Sequence, residues 1–170
     1  IKNKSFDKKQ YENYKAVLGK DAPKTFDNFR EMKYNNFEGY EDIKKYYSYK
    51  LDNPKANKIN FEMKRELDTL GIKGTIHIPI KDLDLSNIGF DNQHINAERE
   101  HKVTKEEAIS FINNSKVSIS KWAGNYENYY SEYGVVYVDI LNNKIRTAYK
   151  PEQFGDDIKS IMEVLKKYEK

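Results

Sequence analysis

The chain has 170 residues and no cysteine, and its 30 Lys and Arg against 27 Asp and Glu leave a formal charge of +3. Charged residues make up 34% of it, and no apolar run approaches the ~18 to 20 residues that a membrane span needs, so a soluble chain of one domain or two small ones, without signal or membrane segment, is expected. The missing cysteines exclude a disulfide scaffold, thiolate metal sites and a cysteine nucleophile, and leave 3 histidines for acid–base chemistry near neutral pH.

The charge is unevenly spread. Residues 1–58 carry 14 basic and 9 acidic side chains, a balance of +5, whereas residues 59–170 carry 16 and 18, a balance of −2. The front reads as short helices. Asp7 with Gln10 makes a capping-box start, Tyr11, Tyr14, Val17 and Leu18 form an apolar stripe, and Gly19 is placed to end it. Ala22-Pro23 breaks the chain, Thr25 caps a second helix carrying Phe26, Phe29 and Met32, and Tyr40, Ile43, Tyr46, Tyr47 and Leu51 mark a third. Asp52-Asn53-Pro54 reads as a linker, which divides the chain into a helical connector over 1–54 and an α+β domain over 59–170.

The second part opens with a helix over 59–70 ended at Gly71, followed by a period-two strand at 74–80 whose Pro79 confines it to a sheet edge or a bulge. Residues 81–93 read as a loop. Thr104 and Glu107 fit a capping box ahead of Ala108, Ile109, Phe111 and Ile112, the clearest helix in the chain. Four strand-like runs follow at 117–122, 128–133, 134–141 and 144–150, the last two joined by an Asn142-Asn143 turn. A final helix starts at Asp156-Asp157, with Phe154, Ile158, Ile161, Leu165 and Tyr168 on one stripe. The fold class expected is α+β: a helix, an antiparallel sheet of about four strands and a C-terminal helix, preceded by a small helical segment.

Chemistry concentrates in three places. If the stretch HINAEREH is helical, His94, Glu98 and His101 fall on one face with Arg99 alongside. Two imidazoles beside a guanidinium suit phosphodiester transfer: one removes a proton from a ribose 2′-hydroxyl, the other protonates the leaving 5′-oxygen, and the cation stabilises the phosphate. Spacing alone leaves open that both are surface or capping histidines, or that His94, Glu98 and His101 ligate a metal, although the spacing of zinc proteases is missing. In the 144–149 run, alternation puts Lys144, Arg146 and Ala148 on one face and Ile145, Thr147 and Tyr149 on the other, so Arg146 or Thr147 with Tyr149 can grip a phosphate. Lys121, Trp122, Tyr130 and Ser131 lie on or between neighbouring strands, where an aromatic ring either packs in the core or stacks on a base. His77, on its own strand, stays an outside candidate.

The segments HINAEREHKVTKEEAISFI, SISKWAGNYENYYSEYGVVYVD and NNKIRTAYKPEQF together resemble the C-terminal module of Firmicutes phage minor head (head morphogenesis) proteins, a phage-type member of the barnase, EndoU, colicin and RelE-like nuclease superfamily. The front stretch YKAVLGKDAPKTFDNFREMKY is similar to the segment that precedes that module. The resemblance implies a toxin-like endoribonuclease that cleaves RNA, tRNA among the candidate substrates, without metal or cofactor, and leaves a 2′,3′-cyclic phosphate. Carried over by position, His94, Arg99, His101, Arg146 and Thr147 become the catalytic residues, with Lys121, Trp122, Tyr130, Ser131 and Tyr149 binding substrate; Tyr149 stands where Phe is common. An immunity protein, the parent head protein and capsid components become the implied partners, no membrane is involved, and the chain is implied to be virion-borne or prophage-encoded and to act in the bacterial cytoplasm. The balance of −2 over residues 59–170 requires a local cleft rather than broad electrostatic capture of RNA. Two rival expectations stand beside it: a non-enzymatic head-assembly module, and an ADP-ribosyltransferase using Arg146, Ser131 and Glu152.

Overall fold

A computed structural model describes residues 2–169 and divides the chain into two compact units, Ile1–Phe61 and Glu62–Lys170. The division falls at residues 61 and 62, inside a helix, and not at the Asp52-Asn53-Pro54 segment. The first unit holds α1 (Lys4–Leu18), α2 (Phe26–Asn35) and α3 (Phe37–Asp52), and α4 (Lys58–Asp68) begins in it. α1 starts earlier than its capping pattern suggests, because Asn3 caps it by accepting from the Phe6 amide. Asp7, relieved of capping, is instead buried and accepts from Arg30 Nε at 3.1 Å, Lys33 Nζ at 2.7 Å and the Tyr34 hydroxyl at 2.6 Å. Tyr11, Tyr14, Phe29, Ile43, Tyr46 and Phe61 form the aromatic core of this unit.

The second unit is an α+β domain. Its elements are β1 (Thr75–His77), β2 (Gly89–Phe90), α5 (Lys105–Asn113), β3 (Val117–Lys121), β4 (Tyr126–Ser131), β5 (Gly134–Asp139), β6 (Lys144–Tyr149) and α6 (Asp156–Lys167). Among the described residues the sheet has six strands in the order β1-β3-β4-β5-β6-β2, antiparallel throughout except that β2 runs parallel to β6. The four strands of the expected meander are therefore extended by one short strand at each edge. β1 is an edge strand, as Pro79 requires, because proline cannot donate to a ladder. β2 lies in a stretch that reads as loop, since two residues carry no readable alternation.

Period-two alternation divides the sheet's side chains between two layers. One face sends Tyr129, Val136, Val138, Ile145 and Ala148 against Ala108, Phe111 and Ile112 of α5. The other sends Val117, Ile119, Tyr130 and Val135 against Ile158, Ile161, Val164 and Leu165 of α6 and Met63 and Leu67 of α4. Thr104 and Glu107 close the full capping box of α5, worth about 1 kcal/mol. Among the described residues, no helix is long and apolar enough to cross a membrane.

β6 departs from the alternation expected of it. A bulge opposite Tyr137 and Val138 pairs Tyr137 with Thr147 but Val138 with Ile145, which leaves Arg146 without a cross-strand counterpart on β5. Ile145 and Ala148 consequently face the same core, while Tyr149 packs on the α6 side. The extra residue rotates Arg146 out of the regular face pattern.

Candidate functional site

The α6 face of the sheet carries a polar stripe across neighbouring strands. Register sets Ile119 opposite Asn128, Asn128 opposite Tyr137, and Tyr137 opposite Thr147, so Asn128, Tyr137 and Thr147 are cross-strand neighbours on one face. Tyr137 and Tyr149 share a hydroxyl–hydroxyl hydrogen bond of 2.7 Å. Tyr149 in turn places its ring 5.3 Å from the His101 imidazole and 6.2 Å from Phe154. His101 Nδ1 is 2.9 Å from Gln153 Oε1, which as an amide oxygen accepts the Nδ1–H and leaves Nε2 to exchange a proton. His101, Tyr149 and Tyr137 thus form a continuous run from the loop before α5 to the middle of the sheet.

A groove of about 660 Å³ continues from Tyr137 toward the β3–β4 hairpin, lined by Lys73, Lys121, Trp122, Tyr126, Asn128 and Asp157 among others. Asn128 is 6% exposed, and its Oδ1 has no hydrogen-bond partner. A buried amide oxygen left unpaired costs about 1 to 3 kcal/mol, so a ligand N–H or O–H delivered there recovers a real deficit. Burial, reinforced by Lys73, pulls the Lys121 ammonium below its ordinary value despite Asp157 nearby. Burial pushes the Tyr130 and Tyr137 phenols up, and burial followed by the bond to Tyr137 does the same to Tyr149. All three phenols are therefore neutral donors at physiological pH.

The remaining histidine of the HINAEREH stretch belongs to a different network. The chain from Gln93 to Glu98 is a π-helical turn, in which the Arg99 amide donates to His94 O at 3.1 Å. Within it His94 Nδ1 lies 3.4 Å from Glu98 Oε1, the i,i+4 contact that a helix predicts. The helix stops there. Glu100 and Lys102 take left-handed φ values of 55° and 56°, so His101 is delivered by a strained loop rather than by the next helical turn. Asp91 caps the π turn through the His94 amide at 3.1 Å and binds Arg146 Nη1 through its other oxygen. The His94 amide first, and Arg146 after it, outweigh burial and hold the Asp91 carboxyl below its ordinary range.

The residues singled out by sequence therefore separate into three groups. His101, Thr147, Tyr149, Tyr130, Lys121 and Trp122 lie along the stripe or its groove; Tyr130 is buried and Trp122 is 79% exposed at the hairpin tip. His94 and Arg146 meet through Asp91, and Arg99 is exposed immediately after the turn. Ser131 is committed to the β4–β5 hairpin, where its hydroxyl donates to Gly134 O at 2.9 Å and accepts the Tyr133 and Gly134 amides. Asn128, Tyr137 and Gln153 are absent from the site residues that the sequence marks. Alternation in β4 and β5 could have paired Asn128 with Tyr137, whereas nothing local marks Gln153, whose partner is 52 residues away. No group of three His, Asp or Glu side chains among the described residues converges to hold a metal ion, and His101 stands apart from the His94–Glu98 pair.

The chain matches no protein-family model, no curated protein and no solved structure in comparison with each.

Proposed function

We propose that the second unit is a toxin-like endoribonuclease that cleaves single-stranded RNA by transesterification, with its active site on the α6 face of the sheet. The observation that carries this reading is the run His101–Tyr149–Tyr137 opening into a groove that offers a buried unpaired acceptor on Asn128, cationic Lys121 and exposed Trp122. A base has an aromatic platform there, a phosphate has a cation, and the ribose has a proton acceptor at the end of the stripe.

In the reaction, the ribose 2′-oxygen loses its proton, attacks phosphorus and closes a 2′,3′-cyclic phosphate as the P–O5′ bond breaks, and the 5′-oxygen takes up a proton. His101 performs one of these proton transfers, its tautomer fixed by Gln153. Thr147 and the Tyr137 hydroxyl donate to the phosphate oxygens, the Tyr149 hydroxyl giving its own proton to Tyr137, and Arg146, braced by Asp91, adds positive charge at the same strand. The other proton transfer is assigned to His94, which the sequence pairs with His101 in the HINAEREH stretch. The resemblance to phage head nuclease modules supplies the expected product and implies delivery with a phage particle or prophage and an immunity protein as partner.

Purified protein incubated in EDTA with total RNA and isolated tRNA tests the reading. Fragments with cyclic-phosphate ends are expected, and His101→Ala lowers their rate about 10²- to 10⁴-fold, the range of general acid–base catalysis, while the fold is unchanged. Intact RNA with folded wild-type protein removes the nuclease assignment and favours an assembly or binding module.

A further inference from the structure

The opposite face of the sheet, at the β1 edge, holds a second cluster that the reading above does not use. Register aligns Thr75, Ser120 and Glu127 in one row across β1, β3 and β4, and His77 lies two residues along from Thr75 on the same face. Glu127 is 1% exposed and its Oε1 accepts the Ser120 hydroxyl; Oε2 has no hydrogen-bond partner and lies 4.0 Å from His77 Nε2. Ser120 has a single proton and gives it to the carboxylate. Its oxygen, 2.9 Å from His77 Nε2, must therefore accept from the imidazole, which fixes the proton on Nε2 and leaves Nδ1 for contact with a ligand.

Burying a carboxylate with one of its oxygens unpaired is costly. The rest of the pocket is donor-rich. Its walls are Thr75, Lys81, Trp122, Ala123 and Gly124 around about 500 Å³. Lys81 is pinned over it, because its amide donates to Ser118 Oγ at 3.0 Å and its carbonyl accepts the Tyr129 hydroxyl at 2.8 Å. Gly74 is obligatory at the rim: a Cβ there would lie 2.4 Å from Ser120 O, and its φ is +113°. Gly74 and Trp122 border both this pocket and the groove on the α6 face, so the two are joined around the sheet edge.

We propose that this pocket is a second nucleotide-binding site, in which Lys81 holds a strand phosphate, His77 Nδ1 accepts from a base N–H, and the adjoining base stacks on Trp122. It rests on the nuclease reading only for the identity of the strand. A single strand lying in the α6-face groove continues past Trp122 into the His77 pocket, which extends the substrate beyond the nucleotides at the scissile bond. Glu127 and Ser120 act as positioning residues beneath His77.

Trp122 is the only tryptophan of the chain, so its fluorescence reports strand binding at this edge. Full-length protein is titrated with single-stranded 2′-O-methyl RNA of two and of eight nucleotides, which cannot be cleaved, and separately with inorganic phosphate. The octamer is expected to quench Trp122, and His77→Ala and Lys81→Ala each weaken octamer binding about three- to tenfold, Lys81→Ala also flattening its salt dependence by about 0.7 in log–log slope, with dinucleotide binding unchanged. Lys81 is exposed, so its variant keeps the test valid even where His77→Ala perturbs folding. Unchanged octamer affinity and slope in both variants overturn the site, as does saturation by inorganic phosphate equal to that by the octamer. RNA cleavage with unaltered octamer binding in both variants overturns this site alone, whereas octamer binding lost in both variants of a protein that leaves RNA intact supports the site and removes only the nuclease reading.

Discussion

Tyr149 separates two ways in which the stripe could work, because its ring and its hydroxyl have different partners. The hydroxyl meets Tyr137, at 2.7 Å, and the ring meets His101 at 5.3 Å and Phe154 at 6.2 Å. Tyr149→Phe removes one neutral hydrogen bond and leaves the half-buried Tyr137 hydroxyl free to find water, a loss of about 1 kcal/mol of stability. The His101 contact survives, so cleavage falls less than about tenfold, equivalent to about 1.4 kcal/mol of transition-state stabilisation. Tyr149→Ala deletes the ring. For a partly buried aromatic the stability cost lies near the lower end of the range, about 3 kcal/mol, and His101 loses the surface that orients it, so cleavage falls about 100-fold. Urea denaturation measures the first quantity and single-turnover cleavage of a defined RNA the second. If Tyr149→Phe proves as damaging as His101→Ala, the hydroxyl itself carries a proton or the phosphate, and the orienting role assigned to the ring is wrong. Wild-type cleavage by a folded Tyr149→Ala would detach the ring from the site altogether.

Other perturbations probe the framework. Asp7→Ala strands Lys33 and Arg30 around an empty cage and costs about 3 kcal/mol in chemical denaturation, the low end for a broken buried pair because those cations retain 16% and 26% side-chain exposure. Although burial alone would raise it, hydrogen bonds from Lys33, Tyr34 and Arg30 hold the Asp7 carboxyl below its ordinary value of 3.8. A depressed folded value means that stabilisation is complete above the unfolded value and disappears as pH falls through the folded one, so acid titration followed by circular dichroism should show stability declining below about pH 4, less steeply in Asp7→Asn. Gly134→Ala places a methyl 2.3 Å from Phe111 Cε2, forcing the α5–sheet contact apart for about 1 to 3 kcal/mol; an unchanged melting temperature would mean that Phe111 swings away freely. Gln153→Ala should lower cleavage several-fold and disturb the pH–rate profile without changing RNA affinity, because it acts only through the His101 tautomer.

Much of the architecture follows from local chemistry. Thr25 and Thr104 cap the helices their spacing marks, Gly19 ends α1 with a φ of 56°, and the alternation in β4 and β5 assigns Tyr129 and Val136 to one core and Tyr130 and Val135 to the other. These features depend on residues within a turn or a strand of one another, and sequence spacing encodes such distances. His94 and Glu98 meet for the same reason, four residues apart on one turn. Three-dimensional packing settled the rest. The β6 bulge sits where two strands must twist against each other, and it alone determines that Ile145 and Ala148 share a face. The left-handed residues at 100 and 102 carry His101 away from His94 toward Tyr149 and Gln153, a placement that no helical periodicity contains. Asn128, Tyr137 and Thr147 became one stripe, and His77, Ser120 and Glu127 one cluster, only when separate strands were set side by side. Local sequence fixes which way each side chain points along its own strand; the neighbour it meets depends on strand order and register, which are properties of the assembled sheet.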